Sequence, residues 1–151
     1  MRLTAEAQAH VESFLGGHLG VEGLTLPRVF VHCGRAARVV TGILRVGAIT
    51  FGRHVFVAPS WLARDDEGRV RLPGWLAVHE SVHVLQYRRA GTVPFLCAYL
   101  GDYVRARGRE RMLGPAAHRA AYQAIRQEVE AYAAEEAYRA WPGRVESLPL
   151  I

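Results

Sequence analysis

The pentapeptide His79-Glu80-Ser81-Val82-His83 lies inside an apolar helical pattern, with Trp75-Leu76-Ala77-Val78 before it and Val84-Leu85 after it. No other feature constrains the fold as tightly. Residues four apart on a helix lie one turn from each other on the same face. Both imidazoles can therefore reach a single tetrahedral metal ion, while the carboxylate between them points at the ion's open position. Such a helix has to sit in a core with a cleft open beside it. The plainer alternative is a pair of structural histidines; the strong apolar pattern and the β-rich stretch that precedes it favour the metal.

The flanking segments are organised around that helix. Thr4 can cap a helix from Ala5 to about Leu15, with Ala7, Val11, Phe14 and Leu15 on one face and Gly16-Gly17 and Gly20 ending it. From Pro27 the period changes to alternation at Val29, Val31 and Cys33. β-branched runs follow at Val39-Val40-Thr41, Ala48-Ile49-Thr50-Phe51 and His54-Val55-Phe56-Val57. These predict a small antiparallel sheet over 27–58. Pro73 opens the motif helix, which runs to about Arg89 and stops at Ala90-Gly91. Pro94 begins another helix to about Arg107, and a last one runs from about Ala116 to Trp141. The order predicts one α+β domain over 1–151: an N-terminal helix, a small antiparallel sheet, then the motif helix and two further helices.

Composition narrows the function classes. With 151 residues, 50% hydrophobic and 22% charged, the chain can bury a real core, which excludes a disordered or low-complexity protein. The stretch Val93 to Leu100 is the most apolar and falls far short of a membrane span, so no transmembrane segment is expected. The opening Met-Arg-Leu-Thr-Ala-Glu-Ala-Gln has polar and acidic residues where an apolar signal core would stand, which predicts a cytoplasmic protein. Cys33 and Cys97 lack Cys-x-x-Cys spacing and read as reduced, buried thiols. The 19 basic residues are all arginine against 14 acids, a net charge of +5. That balance admits a nucleic-acid-binding reading, with Arg105 to Arg111 as its best segment. A glycine break, a flanking acid and the lack of a known binding motif favour a solvated loop instead, with no specific nucleic-acid partner.

A metal held by His79 and His83 needs a third ligand. Glu128 and Glu130 in the last helix are candidates, and His118 competes with them. The histidine that closes the metzincin pattern would stand at Arg89, which disfavours that branch.

The stretch from Leu76 to Gly91, together with Glu128-Val129-Glu130-Ala131-Tyr132, resembles the gluzincin type of zincin metallopeptidase in a minimal, single-domain form. Gly47 to Gly52, the strand Val55-Phe56-Val57 and the run from Leu76 to Gln86 also resemble the peptidase-like core domain found beside extracellular contractile injection systems. The resemblance implies a zincin-like fold, a zinc cofactor and cleavage of a peptide or protein substrate. His79 and His83 would be ligands, Glu80 the general base that accepts a proton from zinc-activated water, and Glu128 the third ligand. Glu128 is chosen because the gluzincin pattern places an alanine three residues later, matching Ala131. The acid that normally follows that alanine is Tyr132 here, which leaves Glu135 to orient a histidine. A peptide would lie along an edge strand, expected at Arg53 to Val57, and Tyr122, Arg126, Tyr132 and His118 are the candidates to steady an oxyanion. The injection-system resemblance also permits a catalytically silent module that binds a protein partner in an assembly.

Other residues carry weaker signals. Gln86 stands one turn beyond His83 and is either a support for the ligand face or a solvated side chain. His32 and His54 lie on strands and are not expected to take part in chemistry. Tyr99, Tyr103 and Trp141 fit helix packing, and Val93 to Leu100 reads as core or as the lining of a hydrophobic substrate pocket.

Overall fold

Thr4 opens the first helix, α1 (Ala5–Leu19), by accepting the Ala7 N–H at 3.2 Å on its hydroxyl. The computed structural model describes residues 1–109 and 125–151. α1 continues through Gly16-Gly17 and ends at the last of the expected glycines, Gly20, whose φ of 65° closes the last turn in the left-handed region. Gly16 and Gly17 are carried inside the helix, because Ala7, Val11, Phe14 and Leu15 give it a buried face to hold on to.

The chain then forms β1 (Phe30–His32), α2 (Arg35–Leu44), β2 (Ala48–Phe51) and β3 (His54–Val57). The β-branched run Val39-Val40-Thr41 is helical, contrary to the sequence expectation. Ala37 and Thr41, one turn apart, are its buried face, and the Thr41 hydroxyl donates back to the Ala37 carbonyl at 2.8 Å. Tertiary burial has overridden local β propensity here. The consequence is topological: α2 becomes a crossover, so β1 joins parallel to β3 while β2 and β3 form an antiparallel hairpin across Gly52 (φ 60°). The sheet is mixed, in the order β1-β3-β2, rather than antiparallel throughout. β3 is therefore central, and the expected edge at Arg53 to Val57 is not an edge. β2 is.

A second sheet was not foreseen. β4 (Ala63–Arg64), β5 (Val70–Pro73) and β6 (Ser147–Pro149) pair antiparallel in that order, bringing the C-terminal segment against the strand that leads into the motif helix. The signal was a three-residue strand after Pro142-Gly143, too short for periodicity to reveal. α3 (Gly74–Ala90) follows, then α4 (Thr92–Arg109), and α5 (Arg126–Ala140) packs most extensively against α3. Ile125 has extended backbone, so the expected last helix does not run continuously from 116 to 141. Residues 110–124, His118 and Tyr122 among them, lie outside the described residues.

The architecture is α+β, and no helix among the described residues is long and apolar enough to cross a membrane. The thiols are not buried as expected: Cys97 is exposed and Cys33 half-buried. Arg105, in the basic run, pairs with Asp102 at 2.7 Å on the surface.

The core centres on α3, where Leu76, Val78, Val82, Val84 and Leu85 are buried against α1, α5 and both sheets. Each contributes about 1.5–3 kcal/mol by leaving water. Tyr138 on α5 locks the opposite end. Its hydroxyl donates to the Val145 carbonyl at 3.0 Å and accepts the Val145 N–H at 2.9 Å, while its ring meets Phe14, His10 and Trp141. Trp141 thus packs as expected. Tyr138→Phe should cost about 1–3 kcal/mol, because it leaves both Val145 backbone groups without that partner. Thermal unfolding should show the midpoint falling by several degrees; an unchanged midpoint would remove Tyr138 from this role.

Candidate metal centre

α3 is buried on all sides, and its polar residues are buried with it. His79, Glu80, His83 and Gln86 are each 5–7% exposed. A buried polar group is tolerated only with partners, and each of these four reaches a different neighbour. The His79 Nδ1–H donates to Glu135 Oε2 on α5 at 3.1 Å. A carboxylate only accepts, so it places the proton on Nδ1 and leaves Nε2 as the nitrogen that faces inward. Gln86 does the same for His83. Its amide nitrogen donates to the Gln127 carbonyl at 3.0 Å and to Glu130 Oε2 at 2.8 Å, which turns Oε1 toward His83 Nδ1 at 2.9 Å.

Both Nε2 atoms then face Glu128, which is 1% exposed on the first turn of α5. His79 Nε2 lies 3.5 Å from Oε2 and His83 Nε2 lies 3.5 Å from Oε1, too long for good hydrogen bonds. Tyr99 on α4 donates its hydroxyl to Oε1 at 2.9 Å, while Oε2 is buried with no hydrogen bond. One ligand atom from each of the three residues can be chosen so that all lie within 4.8 Å of one another. Two donors bound to a tetrahedral zinc-sized ion stand roughly 3.4 Å apart. Two nitrogens, each 3.5 Å from a Glu128 oxygen, and a carboxylate with one oxygen orphaned form a group that could hold a metal ion better than they form a self-contained hydrogen-bond network.

The electrostatics agree. Burial lowers the His79 pKa, but Glu128 and Glu135, with Glu80 nearby, outweigh it and raise the pKa to about 9. His83 is depressed by burial and by His79, yet Glu128 and Glu80 leave it raised overall. Burial disfavours ionised Glu128, but the two histidines hold its carboxyl well below the usual range. Glu135 is likewise kept low against burial by His79 and by Arg139, which donates to its Oε1 at 2.9 Å. The carboxylates around the two imidazoles thus favour positive charge at this point of the fold.

Of the residues named from sequence, His79, His83, Glu128 and Glu80 converge, and Glu135 meets His79. Glu130 binds Gln86 rather than joining the three donors. Tyr132 stacks edge-on against His79, with ring centroids 4.9 Å apart, and Arg126 is exposed. His32 and His54 hydrogen-bond to each other at 3.0 Å on the mixed sheet, outside this cluster. Two contributors were missed. Thr50 on β2 donates its hydroxyl to Glu80 Oε2 at 2.7 Å, and Tyr99 was read as packing alone. Neither a lone threonine in a strand nor a tyrosine in an apolar run carries a local signal of such a contact.

A cleft of about 370 Å³ opens beside the cluster, with Glu80, His83 and Glu128 in its wall and Thr50, Phe51, Phe95, Leu96 and Leu100 around it. The run from Val93 to Leu100 therefore contributes a pocket wall as well as the buried Phe95.

A family profile described as the eCIS core domain matches residues 3–91, so the chain belongs to that family. The match takes in His79, Glu80, His83 and Thr50, and ends before Glu128, Glu135 and Tyr99. No curated protein matches the chain, and neither does any solved structure.

Two outcomes follow for the purified protein. Replacing the supports, by Glu135→Gln or Gln86→Leu, should weaken affinity for added zinc by about 10–100-fold while the fold persists, as calorimetric titration alongside circular dichroism would show. The raised His79 pKa contributes stability to the metal-free fold that is complete below about 6.5 and lost as pH rises through about 9. Loading a cation at pH 7 should therefore release protons, read as a dependence of binding heat on buffer ionisation enthalpy, and that release should fade toward pH 9. Heat independent of the buffer at pH 7 would contradict it.

Proposed function

We propose that this member of the eCIS core domain family is a zinc-dependent peptidase, with His79, His83 and Glu128 as ligands and Glu80 as general base. The observation that carries the reading is the Glu128 carboxylate, its Oε2 orphaned, facing two inward-turned imidazoles at the wall of a cleft that also contains Glu80. The donor set of two nitrogens and one carboxylate is the one that catalytic zinc sites use, with a fourth position left for water or substrate.

Zinc, when bound, supplies Lewis acidity that polarises a scissile carbonyl and brings the pKa of water toward neutrality. The chain's own residues do the rest. Thr50 occupies Glu80 Oε2, and Oε1 carries no hydrogen bond among the described residues. Oε1 is thus the atom free to take a proton from the attacking water and hand it to the leaving amine. β2 runs beside α3 as the edge of the mixed sheet, so a substrate strand can pair with its backbone and lie across the cleft. The exchange of β3 for β2 as that edge strengthens the reading, since β2 is the strand that touches Glu80.

Family membership supports a second reading, a catalytically silent module that binds a protein partner in an assembly. Protein purified without a metal-affinity tag should hold about one zinc per chain by elemental analysis. It should cleave casein or a mixed peptide library, and Glu80→Gln should lower turnover by at least about 100-fold with zinc retained. Full zinc occupancy without turnover by the wild type would select the silent module; no zinc, even after reconstitution, would remove both readings.

A further inference from the structure

We infer that the cleft beside Glu80 is a subsite for one large apolar side chain, aromatic or branched aliphatic, of a peptide lying along β2. The inference rests on the peptidase reading and adds the substrate class to it.

The two walls come from different parts of the chain. Ile49 and Phe51 stand on β2, and Phe95, Leu96 and Leu100 stand on α4, which lies beyond the family match. The space between them is about 370 Å³, at the lower end of small-ligand pockets. It accepts a benzyl or isobutyl group with room to spare, and a methyl group would leave most of it unfilled.

The wall chemistry is equally selective. Among the described residues no arginine or aspartate lines the cleft, and its ionisable carboxylates and imidazole are confined to the corner formed by Glu80, His83 and Glu128. A charged side chain entering between β2 and α4 would lose water and find no partner of opposite charge among those lining residues. Phe51 is 41% exposed and Leu100 59% exposed, so the mouth is apolar on both sides as well. An apolar side chain on a bound peptide would cover both of these surfaces. The side chain would sit next to the bond to be cut, because Glu80, the proposed general base, and its partner Thr50 both line the same cleft.

The test uses the intact chain and reads binding apart from turnover. Two blocked tetrapeptides that differ only in Phe against Ala are titrated into Glu80→Gln protein, with and without added zinc, and followed by NMR chemical shifts. The Phe peptide should bind on the order of 10–100-fold more tightly. Leu96→Trp, which fills the space, should erase that preference. Equal affinities in the parent protein, or an undiminished preference in a folded Leu96→Trp protein, would overturn the subsite. With active wild-type protein, a mixed library should show large apolar residues enriched at least tenfold beside the cut bond. Cleavage without that enrichment overturns the subsite and leaves the peptidase reading standing. A library left uncut while the Phe preference persists overturns the peptidase reading and leaves the subsite.

Discussion

Burying the polar side of α3 is the constraint from which the rest of the structure follows. A helix enclosed on every side has no solvent in which to leave two imidazoles, a carboxylate and an amide. Each must be met by a group of the right kind at hydrogen-bond distance, and each neighbour of α3 is placed to do so. α5 brings Glu135 and Glu128 to the histidines, Gln127 and Glu130 settle Gln86, and β2 brings Thr50 to Glu80. Only Glu128 Oε2 and Gln127 Oε1 are left as fully buried side-chain oxygens without a hydrogen bond among the described residues, and the first of these lies 3.5 Å from His79 Nε2.

That asymmetry suits a candidate metal centre better than a structural network. A network built for stability would have drawn Glu128 to within hydrogen-bond distance of both rings; instead both gaps are 3.5 Å, and the supports face away from the shared point. The Nδ1 acceptors Glu135 and Gln86 orient the rings without competing for Nε2, and Tyr99 occupies one Glu128 oxygen while sparing the other. The high basicity of His79 is the electrostatic counterpart of the same geometry. Metal ligands must be deprotonated, so a cation bound there would displace the proton that His79 holds.

The family match covers the half of the chain that supplies α3 and β2, whereas the third donor, the histidine support and the α4 wall all come later. The earlier half contains a paired-histidine helix and the strand that steadies its glutamate. The later half decides whether that helix can hold a cation and what the cleft beside it can accept. Within the earlier half, the crossover through α2 sends β1 to the far side of β3 and leaves β2 as the free edge next to Glu80.

How much was legible from residues alone depended on the range of the interaction. His79, Glu80 and His83 were readable because a helical turn fixes their relation locally, and the first helix, the strands before the motif and the motif helix itself were readable from period and punctuation. Glu128 and Glu135 were reached through a recurring pattern rather than through physics, since nothing in a helix's own periodicity names the helix it will face. Where burial opposed local preference, local preference lost. Val39 to Thr41 became helix because Ala37 and Thr41 needed a common buried face, and the three residues of β6 became strand because β5 offered an edge. The sequence by itself determined that one face of one helix would present two imidazoles and a carboxylate. Tertiary structure decided which distant oxygen meets them, which strand is exposed beside them and what lines the opening, because those relations depend on packing between segments that carry no local record of one another.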